Sequence, residues 1–358
     1  MFMQQRIQYV DLAKGLCILL VVSYHVMHHF HCLPDIVKSW SCFRMPLYFF
    51  LSGLFFKEYE GFIGFFLRKV NKLFIPFAFF YLVTSFAFSN ILHDFFGYTV
   101  GFEESLGISG LWAFITQERF ANDPIWFIWV LFLVNTYFYV CFILAKKTTP
   151  NQKYFPIVLT VICFAIGIIG SAVLSRRINL LAFLDSAMSA LPFYAVGYLF
   201  NKYTSILTPP NKWNKYLPLA VIVCFAIVYF FGGHCSYRVN RFTINPFWQY
   251  VCGVSGTLGV MFLAKFIGHI PFVTYWGRYS IMILVTHGMV LKVIAPLVFK
   301  AHLPLSLTII ISFVVLMFSY QLLIPLMKKY LPYVTAQKDV INVSKYVNNH
   351  LNDGKTII

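Results

Sequence analysis

The residues best suited to chemistry lie in the first long apolar segment, which reads DLAKGLCILLVVSYH from Asp11 to His25. An ionisable side chain at the centre of a bilayer costs about 3 kcal/mol or more, so such residues usually mark a functional site. Helical geometry places Lys14 and His25 on nearly one line, about 16 Å apart along the axis. Asp11 and His29 lie within about 40° of that line. We expect this polar stripe to face a bundle interior or a water-filled cavity.

Plainer interpretations of the same residues stay open. Asp11 and Lys14 would lie near the rim of the membrane, where they could simply anchor the helix. His25 could be a buried histidine that is hydrogen-bonded to a carbonyl group. The run HVMHHFH places His25 and His29 four residues apart, a spacing that two metal ligands on one helix can have. Because no HExxH-type glutamate accompanies them, we expect no metal and interpret the histidines from His28 to His31 as an interfacial collar.

The composition indicates which elements must hold these side chains. The chain has 358 residues, of which 59% are hydrophobic and only 11% are charged, too few polar residues to cover a soluble core. A helix needs about 20 apolar residues to cross a bilayer, so we predict an all-α, polytopic transmembrane helix bundle of about ten helices. The predicted spans are residues 12–30, 41–57, 73–93, 125–145, 155–175, 184–200, 216–232, 247–267, 279–299 and 303–327.

The distribution of positive charge predicts the orientation. With both termini placed in the cytoplasm, the cytoplasmic segments carry 19 of the 28 Lys and Arg residues, and the outer segments carry the other nine. This excess is what the positive-inside rule predicts, so the net charge of +16 reflects topology and not nucleic-acid binding. We expect a retained first helix, a membrane domain over residues 1–330 and a short polar cytoplasmic tail over residues 331–358. Cys32 and Cys42 could form an outer disulfide.

Several longer stretches recur in a recognisable order. RIQYVDLAKGLCILLVVSYH, residues 6–25, contains an arginine, an Asp-x-x-Lys-Gly run and a histidine. It is followed by FRMPLYFFLSG (43–53), FLRKVNKLFIP (66–76), PIWFIWVLF (124–132), LPFYAVGYLF (191–200) and WGRYSIMILVTHG (276–288). The ordered set resembles the acyltransferase 3 family of integral membrane acyltransferases, in particular its fucose 4-O-acetylase-like branch. Many members of that family have arginine where this chain has Lys14, which keeps the charge but loses bidentate geometry.

The resemblance implies an O-acyltransferase that moves an acyl group, usually acetyl, from cytoplasmic acetyl-CoA to a hydroxyl group. The acceptor would be a surface glycan or its precursor, so the reaction would be a polysaccharide O-acetylation, and the location would be a bacterial inner membrane. In the family the first-helix histidine is regarded as catalytic and the cytoplasmic basic residues as donor-binding. Those roles fall here on His25, Lys14, Lys69 and Lys72.

Physical chemistry adds to these assignments. The ordinary pKa of histidine suits proton removal near neutral pH, so we predict that His25 is the general base, with an acyl-histidine intermediate as the alternative. Asp11 could orient groups in the stripe but is about 21 Å from His25. Arg68, Lys69 and Lys72 would clamp the coenzyme A phosphates, unless they are ordinary positive-inside charges.

The predicted acceptor side has a larger set of candidates. Oxyanion donors could come from Ser52, Tyr24, Trp126 and Asn135, and His287 is either functional or a packing histidine. The outer arginines could contact an anionic or pyrophosphate-linked glycan, or lipid headgroups instead. They are Arg44, Arg119, Arg176, Arg177, Arg238 and Arg241. The substrate-binding candidates are Ser52, Trp126, Arg119, Arg238, Asn240, Arg241 and His287.

Two other classes of function stay open. A transporter or flippase for a glycan or lipid-linked sugar would also have about ten helices with intramembrane charge, although no inverted repeat is visible. A non-catalytic sensor or scaffold with the same fold is the third class. Consumption of an acyl donor, and its loss in a His25→Ala variant that still inserts, would separate an enzyme from both.

Overall fold

A computed structural model describes residues 7–59, 61–84, 107–118, 122–175, 180–208 and 212–343, except for the side chains of residues 107–110, 212 and 213. The described chain is all-α apart from one small hairpin. Its α-helices are α1 (Gln8–His29), α2 (Asp35–Ser39), α3 (Ser41–Arg44), α4 (Pro46–Leu54), α5 (Gly61–Lys69), α6 (Ile75–Leu82), α7 (Gly107–Ile115), α8 (Trp126–Thr148), α9 (Phe155–Ile168), α10 (Leu184–Tyr203), α11 (Leu217–Phe231), α12 (Pro246–Ile267), α13 (Pro271–Arg278), α14 (Ser280–Phe299) and α15 (Leu305–Tyr330).

Shorter helical turns extend several of these helices. Two π-helical segments, Val70–Phe74 and Ile169–Leu174, follow α5 and α9. The 3-10 segments are Asp123–Ile125, Leu181–Phe183 and Lys212–Tyr216, which precede α8, α10 and α11. The hairpin consists of two antiparallel strands, β1 (Cys235–Ser236) and β2 (Arg241–Phe242), which pair Cys235 with Phe242.

Eight helices in the described residues are long and apolar enough to cross a membrane, which makes this an integral membrane protein. They are Gln8–His29, Asp123–Thr148, Phe155–Leu174, Leu181–Tyr203, Asn214–Phe231, Pro246–Ile267, Ser280–Phe299 and Leu305–Tyr330. Each overlaps one of the ten predicted spans. Large apolar side chains such as Tyr229, Phe230 and Leu322 are exposed on α11 and α15, as lipid-facing positions require.

The second and third predicted spans differ from the other eight. The segment predicted as 41–57 is divided into α3 and the nine-residue α4, with Pro46 at the start of α4. All but one of the α4 residues are buried, so this short helix need not cross lipid by itself. The segment predicted as 73–93 belongs to a helical stretch that begins earlier, at Gly61, and residues 85–93 lie outside the described part of the chain.

Close helix packing holds α4 in this buried position. A Cβ atom on Gly53 would collide with the carbonyl oxygen of Tyr194, and one on Gly197 would collide with that of Phe50. The α4 and α10 backbones therefore approach as only small residues allow. In the same way, Gly15 and Gly277 let α1 pack directly on α13.

Hydrogen bonds hold the segment after α15 against the rest of the bundle. Helix α1 begins at Gln8, and the segment after α15 folds back onto the π-helical segment at residues 70–74. Buried Asn71 donates to the carbonyl of Ile341 at 2.9 Å and accepts from the backbone N–H of the same residue. Cys32 and Cys42 are free thiols, so the disulfide considered for them is not formed.

Candidate active site

Two cavities lie one above the other along the bundle, and helices α1, α8 and α14 line both. The first, which we call the histidine cavity, has a volume of about 490 Å³ and is lined by His25, Arg44 and His287 among others. The second, the lysine cavity, has a volume of about 330 Å³ and is lined by Lys14 and Lys69 among others. The polar stripe of α1 thus faces two internal spaces, with its lysine in one and its histidine in the other.

Of the described residues that line the two cavities, one is common to both. Leu284 lines both of them and is only 3% exposed. On the same helix, Ser280 and Ile281 face the lysine cavity, while His287 and Leu291 face the histidine cavity. A flexible chain that passed Leu284 from the lysine cavity would enter the space that contains the histidines.

Two imidazoles form the chemical centre of the histidine cavity. The rings of His25 and His287 have centroids 5.0 Å apart, and His287 is completely buried. The Nδ1 atom of His287 lies 3.0 Å from the carbonyl oxygens of both Ile283 and Leu284. Because a carbonyl only accepts hydrogen bonds, Nδ1 must carry the proton, and Nε2 keeps a lone pair. Among the described residues Nε2 has no hydrogen-bond partner, so it is available as a base.

A buried guanidinium group lies in the same cavity. Arg44 is 7% exposed, and its Cζ atom lies 3.9 Å from the centroid of the Tyr24 ring. The Tyr24 ring in turn packs against the His25 ring, with 5.3 Å between centroids. The Nε and Nη1 atoms of Arg44 have no hydrogen-bond partner within the described chain. The histidine cavity therefore combines a base with donors for negative charge.

The hairpin covers the histidine cavity from one side. Arg238, which lies in the turn of the hairpin, donates through Nε to both carboxylate oxygens of Asp123 at 2.7 Å. It also donates to the carbonyl oxygens of Gln117 and Glu118. At the base of the hairpin, the backbone N–H of Cys235 donates to the hydroxyl of Ser41 at 2.8 Å. These bonds tie the hairpin to the segment before α8 and to α3.

The lysine cavity has a different chemical character. Lys14 and Lys69 line it together with Ser52 and Arg278, and the Nζ atom of Lys14 lies 5.7 Å from the centroid of the Phe55 ring. Lys69 lies at the end of α5, outside the candidate spans, and burial lowers the pKa of its ammonium group to about 8. The lysine cavity thus combines positive charge with an aromatic ring, which suits a ligand whose phosphate groups are attached to a long, flexible chain.

Comparison with known proteins identifies the class of enzyme. The family model Acyl_transf_3, described as an acyltransferase domain, matches residues 7–324. The chain belongs to this family. No curated protein and no solved structure matches it. The protein is therefore a membrane acyltransferase, whose reaction requires an acyl donor and an acceptor, and the match includes both cavities.

Two of the residues predicted to contact the acceptor line neither cavity of this acyltransferase. Asn240 is completely buried, donates to the carbonyl oxygen of Gly170 and accepts from the hydroxyl of Ser189. Arg241 is exposed on β2 and lines neither cavity. Arg119 lies outside the described residues. Trp126, Arg238 and His287 line the histidine cavity, and Ser52 lines the lysine cavity.

The other predicted donor-side and catalytic residues of the acyltransferase lie at the lysine-cavity end but do not line the cavity. Lys72 forms an ion pair with Asp339 at 2.8 Å. The guanidinium of Arg68 lies 4.6 Å from the centroid of the Tyr59 ring. Asp11 is 5% exposed, and its carbonyl oxygen packs against Gly277. Among the described residues no cluster of three or more His, Cys, Asp or Glu side chains could hold a metal ion.

Asn135, considered as an oxyanion donor, is fully buried and lines neither cavity. Its Oδ1 accepts from the hydroxyl of Tyr194 at 2.8 Å, and its Nδ2 donates to the carbonyl oxygen of Leu131 at 2.7 Å. These bonds use its amide to join α8 to α10. Tyr24 lines the histidine cavity.

Sequence reasoning missed two residues of this acyltransferase site. Arg278 was not among the predicted site residues, although its place in the WGRYS block was a signal that it borders the site. Leu284 carried no signal at all, because an apolar residue in an apolar helix looks like any other. Arg44 was grouped with the outer arginines, and only its burial distinguishes it from them.

Proposed function

We propose that this acyltransferase moves an acetyl group from acetyl-CoA, held at the lysine cavity, to a hydroxyl group of a surface glycan or glycan precursor in the histidine cavity. The observation that carries the proposal is the arrangement of the two cavities, which meet at Leu284 with His25 and His287 just beyond it. Donor and acceptor can then approach from opposite ends without sharing an entrance.

The donor side is proposed from charge. Coenzyme A has several phosphate charges at one end and a thioester at the end of a flexible arm. Lys14, Lys69 and Arg278 line the lysine cavity and would bind the phosphates, while the arm would carry the acyl group towards Leu284. Arg68 and Lys72 would add to the positive electrostatic potential at the entrance of the lysine cavity. We place this end in the cytoplasm, together with both termini, because the positive-inside rule favours that orientation.

The chemical step is proposed from the imidazoles. His25 accepts the proton of the acceptor hydroxyl, and the resulting alkoxide forms a C–O bond with the thioester carbonyl carbon. The C–S bond then breaks, and the leaving coenzyme A thiolate takes the proton from the imidazolium. His287, with its Nε2 lone pair, lies close enough to serve as a second base, and Arg44 or Trp126 could donate to the oxyanion. A covalent acyl-histidine remains the alternative route.

The cell compartment and product are part of the same proposal. The resemblance to glycan-modifying members of the family supports a bacterial inner membrane and an O-acetylated polysaccharide. The test is mass spectrometry of surface glycans from cells that contain the wild-type protein, the His25→Ala variant or neither. We expect acetyl esters with the wild type alone. Identical spectra from all three, with both proteins inserted at equal levels, would contradict the proposed function.

A further inference from the structure

More cationic than acidic residues line the histidine cavity in the described part of the chain. Its cationic residues are Arg44, Arg238 and Lys292, and Asp123 is the only acidic residue among the described residues that line it. Both carboxylate oxygens of Asp123 are engaged by Arg238, which leaves Arg44 without an ion-pair partner in the described chain.

An isolated guanidinium at this depth is costly. Removing a charge from water remains costly even after the protein relaxes, and the contact with the Tyr24 ring offsets only part of that cost. Arg44 is nevertheless 7% exposed, and two of its nitrogens face no acceptor atom of the described protein. Such a group is best explained as half of an ion pair whose other half is a ligand.

The position of Arg44 restricts which ligand this is. The Tyr24 ring contacts both the Arg44 guanidinium and the His25 ring, so an anion at Arg44 would lie in the same cavity as the reacting hydroxyl group. The thioester would arrive from the other side of Leu284, and the coenzyme A phosphates would remain at the lysine cavity.

We propose that Arg44 binds an anionic group of the acceptor, a carboxylate or a phosphate, and that the enzyme therefore selects acidic glycans or phosphate-linked glycan precursors. This inference depends on the proposed function, because it takes the histidine cavity as the acceptor site. Arg44 is then a specificity determinant that holds the acceptor while His25 acts on its hydroxyl.

The test measures binding without the donor. Purified protein is titrated with methyl glucuronide, neutral methyl glucoside and inorganic pyrophosphate, and the shift in the thermal unfolding midpoint gives an apparent Kd for each. We expect the wild type to bind one anionic probe and the Arg44→Gln variant to bind it about 30-fold more weakly or worse. Lys300→Gln, which removes an exposed charge outside both cavities, should bind like the wild type. Glucuronide binding would indicate a carboxylate, and pyrophosphate binding a phosphate.

Three results would overturn the inference. They are equal binding of the anionic probe by wild type and Arg44→Gln, no stabilisation of the wild type by either anion, and pyrophosphate binding that is lost only in Lys69→Gln. If Arg44→Gln does not fold, Arg44→Lys keeps the charge without the planar donors and should still weaken binding about tenfold. Acetyl-CoA is titrated in parallel, and its failure to stabilise any of these proteins would count against the proposed function instead.

Discussion

The two cavities of this acyltransferase share helices α1, α8 and α14 but differ in how their polar groups are held. In the lysine cavity the cations lie near aromatic rings, as Lys14 does beside Phe55 and Lys69 beside Phe65. In the histidine cavity the polar groups are buried and fixed, as the neutral ring of His287 is by two backbone carbonyl groups. The first arrangement suits a flexible, highly charged donor, and the second suits a reaction that needs exact positions.

This difference leads to a simple expectation. Changes in the histidine cavity should affect the rate of the chemical step, and changes in the lysine cavity should affect the concentration of donor that is needed. Changes at Leu284 should alter the passage of the acyl group between the two cavities and leave binding in both unchanged. The predictions below test that division, beginning with the largest expected effect.

Removal of the imidazoles should have the largest effect. We expect His25→Ala, and to a smaller extent His287→Asn, to lower kcat by a factor of about 10² to 10⁴, because general base catalysis is lost. Asparagine at position 287 can still donate to the backbone carbonyls, so the helix should remain intact. The measurement is incorporation of radiolabelled acetyl groups into membrane glycans. His269→Gln, at an exposed position outside both cavities, is the control, and a kcat for His25→Ala equal to that of the control would refute the assignment.

Enlargement of the side chain at the boundary should come next. We expect Leu284→Trp to lower kcat about 100-fold because the thioester can no longer reach its reacting position. The Kd for acetyl-CoA, measured by calorimetry, should stay within about twofold of the wild-type value. Leu284→Ala, which removes bulk at the same position, should retain transfer. Full activity in Leu284→Trp would mean that the acyl group takes another route.

Loss of a cation from the lysine cavity should have a moderate effect on donor use. We expect Lys69→Gln to raise the KM for acetyl-CoA about tenfold, with little change in kcat, because a charge-assisted bond to phosphate is lost. Burial lowers the pKa of Lys69 to about 8, so its charge is present below that pH and is lost above it. The wild-type KM should therefore rise as the pH passes 8. If the KM of Lys69→Gln for acetyl-CoA rises in the same way above pH 8, the rise comes from the titration of another group.

The smallest effect is expected at Lys72. Its ammonium group already pairs with Asp339 and bonds to the carbonyl oxygen of Ala336, and both charged side chains are nearly half exposed. Exposed ion pairs are worth about 0–1 kcal/mol, so Lys72→Gln should change the KM for acetyl-CoA less than twofold. A change as large as that in Lys69→Gln would show that Lys72 leaves Asp339 to bind the donor.

The part of this site that the sequence predicted is the part that depends on local geometry. The spacing of Lys14 and His25 on α1 follows from helical periodicity alone, and their division between two cavities agrees with it. The family motifs and the eight long apolar helices were also visible. Composition did not reveal that residues 41–57 form two short helices, because a short buried helix is as apolar as one that spans the membrane.

Pairing between distant residues was beyond sequence reasoning. Arg238 is 115 residues from Asp123 in the chain, and nothing local distinguishes it from exposed Arg241. Asn240 looked like a sugar ligand, yet its amide bonds to protein atoms at Gly170 and Ser189. Burial decides such cases, and burial depends on the whole fold.

Photoaffinity labelling tests the central claim most directly, since it requires no knowledge of the acceptor. A coenzyme A thioester with a short diazirine-bearing acyl chain is irradiated with the purified protein, and the labelled residues are identified by mass spectrometry. We predict adducts at Ile281, Leu284, His25 and His287, which excess acetyl-CoA should suppress. Labels confined to lipid-facing positions such as Tyr229 and Phe230, or labels that acetyl-CoA does not reduce, would contradict a donor path from the lysine cavity to the histidine cavity.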